Sequence, residues 1–185
     1  MPRDPDVTET TKLQQFEEIV KQYQQQIFRL AYHLTGNTQD AEDLSQEAFI
    51  KGYQGFDRFR GDAQIGSWLY RITVNTWIDA RRKKHYTDRD IQSTYREERK
   101  ARSEPAPDPE HYMETSFLQQ CIENALEQLS PREKSVFVLR HYHQYKLKEI
   151  GSTLQISEGT VKSLLYRAVQ KLRDYLNNYR KEIGL

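Results

Sequence analysis

Four side chains within "SEGTVKSLLYRAVQKLRDYL", Ser157 to Leu176, are of types that read nucleic acid. Lys162, Ser163, Tyr166 and Arg167 fall along one side of a helix. Lysine and arginine reach phosphates or guanine edges, and serine and tyrosine hydroxyls offer further hydrogen bonds. Val161, Leu165, Ala168, Leu172 and Leu176 recur at helical steps and predict a buried stripe opposite. Ser157 is a suitable N-cap, so this helix has a defined start. The alternative is a solvated face on a small helical bundle.

Other candidates for chemistry are weaker. Glu42, Asp43 and Glu47, or His141 and His143, supply metal-ligating types, but the two histidines stand two apart, the wrong spacing for one helix face. No nucleophile or phosphate-binding loop accompanies them, so neither a metal nor another cofactor is expected, and no catalytic residue is assigned. Cys121 is the single cysteine, which excludes an internal disulfide, and its place in an apolar helical pattern reads as a buried thiol.

The elements that position these groups are helical throughout. Gly and Pro are few (8 and 6), and no strand-like alternation persists across the 185 residues. No apolar run is long enough to span a membrane, so a soluble, cytoplasmic protein without membrane insertion is expected. The formal net charge of +1 conceals an acidic front, −4 over residues 1–59. Basic balances follow, of +5 over 80–102 and +6 over 130–185. Separate surfaces for separate partners or ordinary scatter among solvated helices would both produce this.

"SEPAPDPE", Ser103 to Glu110, carries three prolines and almost nothing to bury. The expected fold is therefore all-α, with two small helical domains at 12–86 and 114–180 joined by a flexible linker at 87–113. In the first, Leu13, Phe16, Val20, Tyr23, Ile27, Leu30 and Leu34 form a long amphipathic stripe. "TGN" ends it, with Gly36 suited to a left-handed cap and Asn37 to capping the next helix, which buries Ala41, Leu44 and Ala48. A third helix sets Leu69, Ile72 and Thr76 on one stripe and Arg71, Asn75, Asp79 and Arg82 on another. Trp68 reads either as a core anchor, the preferred reading, or as a stacking platform. In the second domain Leu118, Cys121, Ile122, Ala125 and Leu126 share a face. "SPRE" then forms a capping box with proline at the first helical position. Leu147, Ile150 and Leu154, the turn "QIS" and the final helix have the dimensions of a helix-turn-helix.

Three stretches resemble the extracytoplasmic-function sigma factors of bacterial RNA polymerase, in the family's order and covering nearly the whole chain after residue 12. "GNTQDAEDLSQEAFIKGY", Gly36 to Tyr53, is similar to the core-polymerase-binding helix. "FDRFRGDAQIGSWLYRITVNTWIDARRKK", Phe56 to Lys84, is similar to the promoter-melting, −10-reading segment. "LSPREKSVFVLRHYHQYKLKEIGSTLQISEGTVKSLLYRAVQKLR", Leu129 to Arg173, is similar to the −35-reading module. Departures are Gln155 where the family often has glycine, Leu164 where it often has arginine, and Ile65 at a usually aromatic position.

The resemblance implies a promoter-specificity factor rather than an enzyme. Its partners would be promoter DNA and core polymerase, through the clamp coiled coil of the largest subunit and the flap of the second largest. An anti-sigma protein is a frequent further partner in the family. Asp43, Gln46, Glu47 and Lys51 would meet the polymerase. Arg60, Asp62 and Ala63 would capture a flipped −10 base. Arg71, Asn75, Asp79, Arg81, Arg82, Lys83 and Lys84 would contact the opened strand. Lys146, Lys148, Ser157, Thr160, Lys162, Ser163, Tyr166 and Arg167 would contact the −35 duplex, Lys146 and Lys148 being equally readable as solvated. A different DNA-binding regulator, with a dimerising or sensing N-terminal module, would explain the helix-turn-helix but not "WLYRI…N…D…RR".

Overall fold

The computed structural model describes residues 5–59, 64–90 and 121–182, and all its regular elements there are helical. Helix α1 spans Pro5–Thr35, α2 Thr38–Gly55 and α3 Ile65–Asp90, with a 3-10 turn at Phe56–Arg58. Helix α4 covers residues 121–127, followed by α5 (Pro131–His141), α6 (Leu147–Leu154) and α7 (Glu158–Glu182). Among the described residues no helix is long and apolar enough to cross a membrane.

Local chemistry sets the boundaries. Gly36 takes φ +82°, which removes the Cβ penalty of a left-handed turn after α1. Asn37 then accepts a hydrogen bond from the Asp40 N–H at 2.8 Å and starts α2. At α5 the capping box forms as expected. Ser130 N–H donates to Glu133 Oε2 at 2.9 Å, Glu133 N–H donates to Ser130 Oγ at 3.4 Å, and Pro131 opens the helix.

The N-terminal three helices pack around Phe16, Ile27, Leu30, Leu34, Leu44, Leu69 and Val74, all buried. Trp68 is buried too, its ring tilted against Phe59 at 5.0 Å between centroids, so it is a core anchor. The C-terminal helices close on Leu126, Leu129, Val136, Leu139, Ile150, Val161 and Ala168. Ends of several expected stripes differ. Leu13, Ile122 and Leu176 are exposed, because among the described residues no neighbouring helix covers those positions. Leu164 is buried beside Val161, whereas Leu165 is only partly covered, so the buried stripe of α7 is rotated slightly from the expected one.

The largest difference lies between the two domains. They share a buried cluster in which α1 and α3 meet α5, α6 and the turn joining them. Tyr70 stacks on Tyr145 at 5.3 Å between ring centroids, and Lys134 lies over the Trp77 ring at 5.8 Å. The partners of Tyr70 and Trp77, Tyr145 and Lys134, lie in the second domain, far along the chain and beyond the reach of a periodicity argument. Helix α3 also continues to Asp90, past the expected boundary at 86. Most of the expected linker, with its prolines, lies outside the described residues, as does Leu118 of the second domain's expected face.

Candidate nucleic-acid interface

Helix α2 buries Ala41, Leu44, Ser45, Ala48 and Gly52, which turns Asp43, Gln46, Glu47 and Lys51 to solvent on its other side. Lys51 Nζ sits 2.8 Å from Glu47 Oε1 and also donates to Thr76 Oγ1 at 3.2 Å, which ties this acidic face to α3. The carboxylates Asp43 and Glu47 stand one helical turn apart and present negative charge to solvent.

Helix α3 carries the second group. Asn75, Asp79, Arg82 and Lys83 are exposed, and Arg71 and Arg81 are partly exposed, along one flank. The opposite flank is wider than the expected Leu69, Ile72 and Thr76. Tyr70, Thr73, Val74 and Trp77 are also buried, because both domains press on this helix. Arg60, Asp62 and Ala63 lie outside the described residues, as does the side chain of Lys84.

The third group is the helix-turn-helix of α6 and α7. A Cβ at Gly151 would sit 2.9 Å from the Ile156 carbonyl oxygen, so α6 meets the turn that leads into α7 backbone to backbone. Gln155 occupies the turn at φ 55°, the left-handed region that glycine enters without penalty. Lys146 and Lys148 are both exposed at the start of α6, where the Lys146 N–H donates to Glu149 Oε2 at 2.7 Å. Ser157 Oγ accepts from the Thr160 N–H at 3.1 Å, and the two hydroxyls lie 2.8 Å apart. These two side chains cap α7, which fixes how its first turn is presented.

The outward side of α7 then holds Lys162, Ser163, Tyr166 and Arg167, all exposed, Tyr166 at 66%. Lys162 pairs with Glu158 at 2.9 Å across one turn, and Ser163 Oγ donates back to the Gly159 carbonyl at 3.0 Å. Arg167 leans towards α5, its Nε 3.9 Å from Glu133 Oε1. Buried Glu133 also accepts from Lys171 Nζ at 2.7 Å. Burial pushes the Glu133 carboxyl upward, but the hydrogen bonds from Lys171 and Ser130 outweigh it and hold the group below its ordinary value.

Glu133 was legible as a cap but not as the anchor of two cations on the flank of α7. That second role needs the packing of α5 on α7. The cluster His33, Tyr70, His143 and Tyr145 carried no periodic signal at all. Among the described residues no three or more His, Cys, Asp or Glu gather as a metal site.

Comparison with known proteins fits this layout. A family model described as sigma-70 region 2 matches residues 19–86, and one described as sigma-70 region 4 matches residues 119–172. The chain is 35% identical over 167 residues to the ECF RNA polymerase sigma factor SigE of Mycolicibacterium smegmatis, covering 90% of this chain and 63% of that protein. It is 35% identical over 169 residues to the ECF RNA polymerase sigma factor SigW of Bacillus subtilis, covering 88% of this chain and 89% of that protein. Among solved structures the fold is similar to the sigma factor RpoE in complex with the anti-sigma factor NepR from Bartonella quintana. The TM-score is 0.66 at 21% identity, over 88% of this chain and 97% of that one. It is also similar to CnrH in complex with the cytosolic domain of CnrY, with TM-score 0.59 at 20% identity over 88% of each chain. With both regions matched in order, and relatives aligned across most of its length, the chain belongs to the sigma-70 family as an RNA polymerase sigma factor of the extracytoplasmic-function type.

Proposed function

We propose a division of labour among the three surfaces. The exposed acidic face of α2, with Asp43, Gln46, Glu47 and Lys51, docks on the clamp coiled coil of the largest polymerase subunit. Complementary charge there speeds encounter and fixes register more than it adds affinity. The outer flank of α3, with Arg71, Asn75, Asp79 and the run Arg81 to Lys84, holds the opened −10 strand. Asn75 makes a bidentate contact to a base edge, and the basic run contacts phosphates. Arg60, Asp62 and Ala63 cradle a flipped base at the start of that helix.

The helix-turn-helix reads the −35 duplex and meets the flap of the second largest subunit. Lys162 and Ser163, in the N-terminal part of α7, face base edges, because recognition helices read bases with that portion. Tyr166 and Arg167, a turn later, contact the backbone, with Lys146 and Lys148 on the neighbouring strand. The domains at 12–86 and 114–180 act as separate readers joined by the linker at 87–113. The protein supplies sequence recognition and strand opening in the cytoplasm, at the nucleoid, while the polymerase supplies the chemistry. An anti-sigma protein is a further partner in this reading.

The observation that carries this reading is the open polar side of α7, set on a capped helix-turn-helix in the same chain as the acidic α2 and the Asn75 flank. Run-off transcription with purified core polymerase on a fragment library tests it. Discrete transcripts that depend on the added chain, from fragments sharing −10 and −35 elements, are expected. A palindromic footprint made by the chain alone would instead favour a dimeric regulator.

A further inference from the structure

The first turn of α7 is the part of a recognition helix that meets base edges, and its side chains are not equally free to do so. Ser157 Oγ accepts from the Thr160 N–H at 3.1 Å and lies 2.8 Å from the Thr160 hydroxyl, so both hydroxyls are engaged in the cap. Val161 is buried. The step Glu158–Gly159 remains, and it is exposed. Lys162 Nζ holds Glu158 Oε1 at 2.9 Å across one turn, which leaves Oε2 to accept a further hydrogen bond. The hydrogen bond and the charge of Lys162, with a smaller contribution from Lys148 of α6, hold this carboxyl below its ordinary value.

Gly159 is the second feature. Glycine inside a helix is destabilising relative to alanine, and here nothing within the fold requires it. Among the described residues a Cβ at Gly159 would meet only Ser157 Oγ, at 3.7 Å, an ordinary van der Waals contact. Its φ is not positive, unlike that of Gly36. Gly151 is the contrast, since a Cβ there would come within 2.9 Å of a backbone oxygen. A side chain missing without an internal reason clears the outer surface instead, and that surface is the one turned towards DNA. Helix stability alone explains a glutamate at this place, through the N-terminal dipole and the pair with Lys162. It would favour alanine rather than glycine at the next position. A surface that only bound phosphates would carry no carboxylate.

We propose that Glu158 is a specificity-determining residue of the −35 reader: Gly159 clears the approach, and the Glu158 carboxylate accepts a hydrogen bond from the N4 amino group of a cytosine in the major groove. A carboxylate only accepts, and cytosine presents a donor there without a neighbouring acceptor. Adenine sets its N6 donor beside the N7 acceptor, which repels a carboxylate, and guanine and thymine present acceptors alone. Lys162 and Lys148 offset the charge of Glu158 against the phosphates on either side. This rests on the assignment of α7 to the −35 duplex above.

The test uses the full chain bound to core polymerase and promoter fragments randomised across the −35 element. The unaltered chain should enrich a cytosine at one position about fivefold over the other bases. Glu158→Ala should lose that preference alone. It should not weaken binding to fragments that lack the cytosine, because it removes a charge like that of the phosphates. Glu158→Gln should move the preference to adenine, whose N6 and N7 an amide engages together. Replacing the selected cytosine by a pyrimidinone base that lacks the amino group should cost the unaltered chain about fivefold and Glu158→Ala nothing. Gly159→Ala should raise the melting temperature yet weaken every −35 fragment about tenfold, a split that a purely structural role does not produce. An unchanged sequence profile for Glu158→Ala, or Gly159→Ala binding as tightly as the unaltered chain, would overturn the proposal. Selection that survives in the Glu158 variants but is lost in Lys162→Ala would leave the promoter reading standing and remove Glu158 from it. No enrichment at all by the unaltered chain would remove both.

Discussion

Helices α3 and α7 are both long, both amphipathic and both assigned to reading DNA, yet they are exposed very differently. Around α7, the buried stripe of Val161, Leu164 and Ala168 is narrow and the polar side is open. Around α3, Leu69, Tyr70, Thr73, Val74, Thr76 and Trp77 are all buried, leaving only the flank with Asn75, Asp79 and Arg82 in solvent. One helix belongs to its own domain alone, and the other is shared. A shared helix makes stability, domain separation and DNA reading depend on the same residues, whereas α7 keeps them apart.

The strongest way to break this contrast is to truncate an aromatic on each helix. Trp77→Ala should destabilise the chain by about 3–5 kcal/mol, since it empties a buried site. Tyr166→Ala should leave stability within about 0.5 kcal/mol and weaken duplex binding. Urea unfolding of both variants measures the difference, and similar midpoints would remove the distinction.

A next effect separates the two reading surfaces. Asn75→Ala should remove a base contact of about 1–3 kcal/mol and lower permanganate reactivity of the −10 region, with −35 duplex binding unchanged. Lys162→Ala should redistribute preference among −35 variants, and Arg167→Ala should weaken all of them and reduce the salt slope by about one. Competition over randomised −35 sequences at two salt concentrations reads both. Reversing Asp43 and Glu47 to lysine should weaken core-polymerase binding about tenfold with normal helicity, most of it in the association rate.

Acidification sharpens the comparison further. His143 has its pKa lowered from 6.5 to about 4 by burial, so the closed contact binds fewer protons than the separated domains. The contact is therefore at full strength above about pH 6.5 and weakens as pH falls towards 4. Energy transfer between fluorophores on cysteines replacing exposed Glu18 and Asn177, one on each domain, in a Cys121→Ala background, should drop between about pH 7.5 and pH 5, and His143→Gln should flatten that response. A flat response in the unaltered chain would mean that protonation does not govern the contact.

The smallest effect concerns the turn beneath α7. Gln155 carries the penalty of a left-handed conformation, roughly 1–2 kcal/mol, while glycine there would lose about 0.5–1 kcal/mol of chain entropy. Gln155→Gly should stabilise the protein by about 0.5 kcal/mol, seen as a small rise in melting temperature without change in −35 preference.

What could be read without coordinates was what local chemistry decides. Gly36 and Asn37, and Ser130 with Glu133, announce helix ends because a cap is satisfied within four residues. Amphipathic spacing likewise announced the core of α1 and the open side of α7. Residues facing a distant part of the chain were illegible. Tyr70 and Trp77 lie off the expected stripe of Leu69, Ile72 and Thr76, and Tyr145 and Lys134 of the second domain pack on them. Leu164, where the family often has arginine, is buried in the core and therefore serves packing.

Buried Glu133 makes substitutions on two sequence-distant segments, the start of α5 and the flank of α7, interdependent. It completes the first turn of α5 through Ser130, holds Lys171 at 2.7 Å and lies 3.9 Å from Arg167. A change at Lys171 therefore acts on a buried anion as well as on the surface, and a change at Glu133 releases two cations on the flank of α7. Effects of these changes should be non-additive in a double-mutant cycle. Engineering a new DNA preference into this flank thus requires the carboxylate and its cations to be varied as a set.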